Sequence, residues 1–192
     1  MKLILRRRLI KLLFATLPAY QVLGVSSVFG NSNVTDEDHI LAVLINTLRS
    51  LNNHVCEKAA DKLEKRVHSF NSYTLHLRFG MLDSLDAKKI SEALKSVHQN
   101  HNIRLTSFSV SYNPTLGQDG AKSILSSLPK NIGELGMVGC NLSDVTGSYI
   151  IEFIRKSKKL NMICIEENNF SQKMKDKILN LRQQKTGCTI VV

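Results

Sequence analysis

Tryptophan is absent from this chain of 192 residues, and aromatic residues make up only 6% of it. So few rings disfavour sequence-tolerant binding of single-stranded nucleic acid, which relies on base stacking. Signatures of common catalytic sites are missing too. There is no glycine-rich phosphate loop, no H-E-x-x-H pair and no recognisable nucleophile motif. The six histidines, His39, His54, His68, His76, His98 and His101, lie in none of these contexts. His54-x-Cys56 is a weak metal-ligand spacing without partners. No catalytic residue, metal, cofactor or small-molecule substrate is therefore expected. No acidic residue precedes Asp36, and Lys11, Pro18 and Gln21 break the most apolar stretch before it reaches the ~20 residues of a spanning helix.

That acid-free stretch reads as a targeting segment over residues 1–30. A basic start (Lys2, Arg6, Arg7, Arg8, Lys11) precedes a largely apolar run from Leu12 to Gly24. Val28 and Gly30 then offer the small side chains a signal peptidase accepts. The alternatives are an uncleaved membrane anchor and an organelle presequence. The expected location is secreted or periplasmic, otherwise membrane-anchored or delivered into a host cell. The segment carries five basic residues, half of the chain's formal net charge of +10. The remaining excess falls mostly on helical stretches, where solvated surface explains it. The Arg155–Lys159 and Lys173–Lys177 clusters offer a lipid or nucleic-acid surface as an alternative.

What the chain does contain is a period. Leu105-Thr-Ser-Phe108-Ser-Val110-Ser-Tyr-Asn113, Ile132-Gly-Glu-Leu135-Gly-Met137-Val-Gly-Cys140 and Leu160-Asn-Met-Ile163-Cys-Ile165-Glu-Glu-Asn168 share one template, L-x-x-L-x-L-x-x-N/C. Phe108 and Leu135 are 27 residues apart, Leu135 and Ile163 28. Apolar template positions point inward and stack on the next unit, because one unit cannot bury its own apolar face. Asn or Cys at the last position satisfies backbone groups where the strand turns. Between strands, Leu116–Leu128, Asp144–Lys158 and the stretch capped by Ser171 have helical apolar spacing. An earlier degenerate unit, Leu75-His-Leu77-Arg-Phe-Gly80, has Gly80 in the Asn place. It is 33 residues long from Leu75 to Phe108, with the surplus expected in the polar loop His98–Arg104. Thr189–Val192 reads as a last strand.

Asn113-Pro-Thr-Leu116-Gly-Gln-Asp-Gly120-Ala-Lys-Ser-Ile124 resembles the N-x-x-L-G-x-x-G-A-x-x-L signature of ribonuclease-inhibitor-like leucine-rich repeats. The resemblance implies an α/β leucine-rich-repeat solenoid over residues 72–192. This would be a short horseshoe segment with parallel strands on the concave face and α-helices on the convex face. It also implies a protein partner on the concave face. The low aromatic content and abundant Lys, Asn and Ile look similar to products of AT-rich bacterial genomes. Together with a eukaryote-like repeat, this points to an exported effector or secreted interaction protein. A periplasmic or membrane-tethered scaffold is the alternative.

Residues 31–71 fall outside the template and are expected to form an N-terminal helical cap. Thr35–Asp38 resembles a capping box, followed by Ile40, Leu41, Val43, Leu44, Ile45, Leu48 and Leu51 at helical spacing. A second helix from Asn53 to His68 would turn Val55, Ala59, Ala60, Leu63 and Val67 inward. The four cysteines are expected as free thiols, since Cys188 aligns with Asn161 and lies roughly 10 Å from Cys164 along the sheet.

The candidate protein-binding residues are chosen from those that the template turns outward: His76, Arg78, Phe79, Ser109, Ser111, Tyr112, Val138, Cys164 and Glu166. Arg78, Phe79 and Tyr112 are of the types that anchor interfaces. Along the row the chemistry passes from basic and aromatic through hydroxyl-rich and small to acidic. A Cys164–His76 pair is disfavoured, at about 10 Å for two strand spacings.

Overall fold

Residues 36–65, 72–99 and 103–192 are described by the structure, a computed structural model. The expected targeting segment, the capping box begun at Thr35, and Val67 and His68 lie outside the described residues.

Short apolar-alternating runs form five strands: β1 (Ser72–His76), β2 (Arg104–Ser109), β3 (Glu134–Gly136), β4 (Met162–Cys164) and β5 (Thr189–Val191). All neighbours pair in parallel, in the order β1-β2-β3-β4-β5. Parallel neighbours require a crossover, which helices provide. These are α3 (Ser84–His98), α4 (Gly117–Ser127), α5 (Asp144–Lys156), α6 (Gln172–Leu179) and the single turn α7 (Leu181–Gln184). The fold is α/β with a five-stranded parallel sheet.

The register aligns Leu75, Phe108, Leu135, Ile163 and Ile190 in one row across the sheet. Every member of that row is buried. Leu77, Val110, Met137 and Ile165 form a second buried row one step of two residues along. Successive strand side chains point to opposite faces, so these rows put one sheet face against the helices and leave the other open. Fully burying each Leu, Ile or Phe side chain is worth ~1.5–3 kcal/mol, so the rows account for much of the cohesion between units.

Helix packing follows chain order, α3 on α4, α4 on α5 and α5 on α6. The α3–α4 approach depends on Gly120, where an added Cβ would sit 3.1 Å from Ala87 Cβ and 3.2 Å from Ser84 Cα. Asp83 caps α3 in a capping box with Asp86, and Ser171 Oγ accepts from the Met174 amide at 3.2 Å to start α6. The 33-residue spacing is not confined to the loop as expected. Helix α3 runs 15 residues against 11 for α4, and Thr106 bulges out of the β1–β2 pairing.

Helices α1 (Asp36–Ser50) and α2 (His54–Glu64) pack on each other, α1 also on α3 and α2 on β1. Asn53 begins α2 by accepting from the Val55 amide at 2.9 Å, and its side-chain amide donates to the Gly80 carbonyl. Leu44, Leu48, Cys56, Ala60 and Leu63 are buried. Val43, one of the apolar residues at helical spacing in α1, is 44% exposed.

Where each unit leaves its strand, a side chain stitches the turn. Asn113 is fully buried; its amide donates to the Leu77 and Val110 carbonyls at 2.9 and 2.7 Å, and its oxygen accepts from the Leu82 amide at 2.9 Å. Asn168 repeats the pattern toward Met137, Ile165, Cys140 and Leu142. Cys140 donates its thiol to the Val110 carbonyl at 3.2 Å. All four cysteines are unpaired, as the register argument anticipates.

The candidate binding face of the sheet

The open face is organised by the register in rows that cross the strands. His76, Ser109, Gly136, Cys164 and Val191 make one row. Arg78, Ser111, Val138 and Glu166 make the next, where the strands have given way to turns. Phe79, Tyr112, Gly139 and Glu167 make the third, all in the left-handed region at φ of 59°, 60°, 59° and 59°. For a bulky residue that conformation is unfavourable, and such outliers concentrate at functional positions.

The left-handed turns bring two rings together. Phe79 and Tyr112 stack with centroids 4.5 Å apart and planes 3° from parallel. The Arg78 guanidinium carbon lies 5.9 and 5.6 Å from the two centroids, at the margin of the stack. Phe79 nevertheless remains 64% exposed. A stacked pair of this kind contributes ~0.5–1.5 kcal/mol beyond its area, which helps hold the rings in place while leaving them open to solvent. Gly139 continues the row without a side chain; a Cβ there would meet Tyr112 Cδ1 at 3.0 Å.

Beneath the stack the face is small and polar. His76 Nε2 lies 2.9 Å from Ser107 Oγ. Ser109 Oγ donates to Ser111 Oγ at 3.1 Å, which accepts from the Val138 amide at 3.1 Å. Burial is the main force lowering the His76 pKa, with Glu134 opposing it and Arg78 and Lys62 adding to it. Burial likewise raises the Cys164 thiol pKa, helped by Glu166 and Glu134. The thiol is thus shifted away from its nucleophilic form.

The nine expected residues do not all reach solvent. His76, Arg78 and Phe79 are exposed, and Ser109, Tyr112, Cys164 and Glu166 are half-buried. Ser111 and Val138 are buried, which corrects the expectation that they are exposed. They are short side chains on interior units, covered from both flanks, whereas Arg78 is long and sits at the sheet edge. The Cys164–His76 separation is also corrected. Strands β2 and β3 lie between them, so it is three spacings, about 14 Å. Met81 and Leu85, each 68% exposed, add apolar surface just after Phe79. Sequence reasoning passed over both, although an apolar residue in a turn or a first helical turn is the signal that marks them.

On the helix side, Lys122, Lys130, Lys156, Leu125, Tyr149 and Phe153 help line a cavity of about 420 Å³. Two of its cations are engaged, Lys156 with Glu152 and Lys122 over the Tyr149 ring at 4.9 Å. Among the described residues no group of three or more His, Cys, Asp or Glu is placed to hold a metal ion. No described helix is long and apolar enough to cross a membrane.

Searches for relatives add no family to this geometry: no family model matches the chain. No curated protein matches it either.

Proposed function

We propose that this chain is a short leucine-rich-repeat solenoid whose open sheet face binds another protein. The in-register apolar rows, the asparagine-stitched turns and the glycine-mediated helix packing support the repeat assignment. One observation carries the binding reading. The Phe79–Tyr112 stack, with Arg78 at its margin, is held in unfavourable backbone conformations and left open to solvent. Aromatic and Arg side chains are the residue types that dominate interface energetics. The basic, acid-free residues 1–30 support an exported chain, and the eukaryote-like repeat supports delivery to a host cell.

The test compares co-purified proteins for the wild type, the triple variant R78A/F79A/Y112A, and a helix-side control K88E/K95E. A protein kept by wild type and control but lost by the triple variant is the expected result. Retention by the triple variant moves binding off this face. Sequencing the N-terminus of the mature chain, with its location, tests export.

A further inference from the structure

We infer that the face takes an extended protein segment that crosses the strands and presents an acidic and a basic side chain four residues apart. The inference rests on the protein-binding reading above and specifies the partner's chemistry.

The row Arg78, Ser111, Val138, Glu166 carries the inference. Its two ends are charged, opposite in sign and long. Its two middle members are short and buried, Ser111 at 3% and Val138 at 7% exposure. The row is therefore a floor two units wide between a cationic and an anionic wall. The neighbouring row deepens the same floor, because Gly136 has no side chain and a Cβ there would come within 2.7 Å of Ser109 Oγ. The aromatic stack and Glu167 border the floor on the turn side. Glu134 forms no salt bridge with Arg78 among the described residues, although both charges act on His76 and Cys164.

Neither wall is held in an ion pair among the described residues. Glu166 Oε2 is buried with no hydrogen-bond donor among them. A buried carboxylate oxygen without a donor is costly and calls for a partner. Glu166 as a residue is half-buried, and a rotation of its side chain would bring the carboxylate to a cation delivered by a bound segment.

Spacing then selects the segment. The Arg78 and Glu166 backbones stand three strand spacings apart, about 14 Å. In an extended chain, residues i and i+4 project to the same side about 13–14 Å apart. An acid at i thus meets Arg78 while a base at i+4 meets Glu166, and residue i+2 falls over Ser111 and Val138, where only a small side chain fits.

The test is selection from a random displayed peptide library against the full chain and against R78E/E166R. The wild type is expected to enrich acid-x-x-x-base sequences, and the charge-swapped variant base-x-x-x-acid. The single variants R78A and E166Q each relax one end of the motif and weaken the selected peptide about tenfold, the size of one partly desolvated charge pair. Thermal melts of all variants check that they fold, and the single variants keep the test decisive if the swap does not. Enrichment without the charge pair, or the same sequences on wild type and swap, overturns the inference. If those peptides still lose binding to F79A/Y112A, the face remains a protein-binding site and only the charge pattern falls. Failure to enrich any peptide overturns the extended-segment inference, while the co-purification comparison judges the face separately.

Discussion

The turn after β2 and the turn after β3 follow similar backbone paths with different chemistry at the same place. Asn113 uses two donors and an acceptor, all inside the protein, to join its own turn to the one before it. Cys140 offers one weak donor to the Val110 carbonyl. Its own amide is instead satisfied from the following unit, by Asn168 Oδ1 at 3.0 Å. The seams β1–β2 and β3–β4 are therefore closed by an amide side chain and the seam β2–β3 by a thiol. On the face side that middle seam gains the Ser111 bridge to the Val138 amide. Equivalent turns can thus be stitched unequally, provided that every buried backbone group finds some partner.

Substitutions at these turns should separate the seams. Asn113→Ala leaves two buried carbonyls and one buried amide short of partners, so we expect a loss of about 3 kcal/mol in urea unfolding. A loss below that of Cys140→Ala would break the comparison. Asn168→Ala has the same geometry on a half-buried residue and should cost about 2 kcal/mol. Cys140→Ala removes a single weak donor and should cost about 1 kcal/mol. Cys140→Asn sharpens the point by rebuilding the amide stitch on the middle seam. It should stabilise by about 1 kcal/mol by the same measurement, and destabilisation would show that the thiol site has no room for an amide.

The smallest expected effect is on the helix side of the β1–β2 seam. His98 lies between Ser127 O, 2.8 Å from Nδ1, and the Tyr73 hydroxyl, 3.4 Å from Nε2. Burial lowers its pKa below the ordinary 6.5, partly offset by the Ser127 carbonyl. The folded state therefore binds this proton less readily than the unfolded chain. Stability should hold above pH 6.5, fall as the pH drops below it, and level off once the folded imidazole is also protonated. His76 shifts in the same direction, so the decline should shrink in His98→Gln without vanishing. An unchanged pH profile in that variant would remove His98 from the account.

Much of the architecture was legible because it repeats. The spacing of Phe108, Leu135 and Ile163 predicts one row on adjacent strands, and they form it. Counting on from Ile163 places Ile190 beside it. Ser171 reads as a helix cap and is one. The face was less legible. Alternation says which way a side chain points but not how much its neighbours cover it, so Ser111 and Val138 point to the open face and are still buried. Phe79 and Tyr112 are 33 residues apart in the chain, and no local pattern announces that their rings meet. The polar residues His98–Arg104 suggest a loop for the longer first spacing, yet α3 and the bulge at Thr106 absorb part of it.

The sequence alone determined the period, the register and the inward rows. Burying apolar side chains is collective and nearly position-blind, so a repeated spacing suffices to encode it. Tertiary structure alone decided which outward residues reach solvent, that two rings stack, and that Arg78 and Glu166 stand at the two ends of one row. Those properties depend on the heights of side chains brought together from different units, and distance along the chain does not record them.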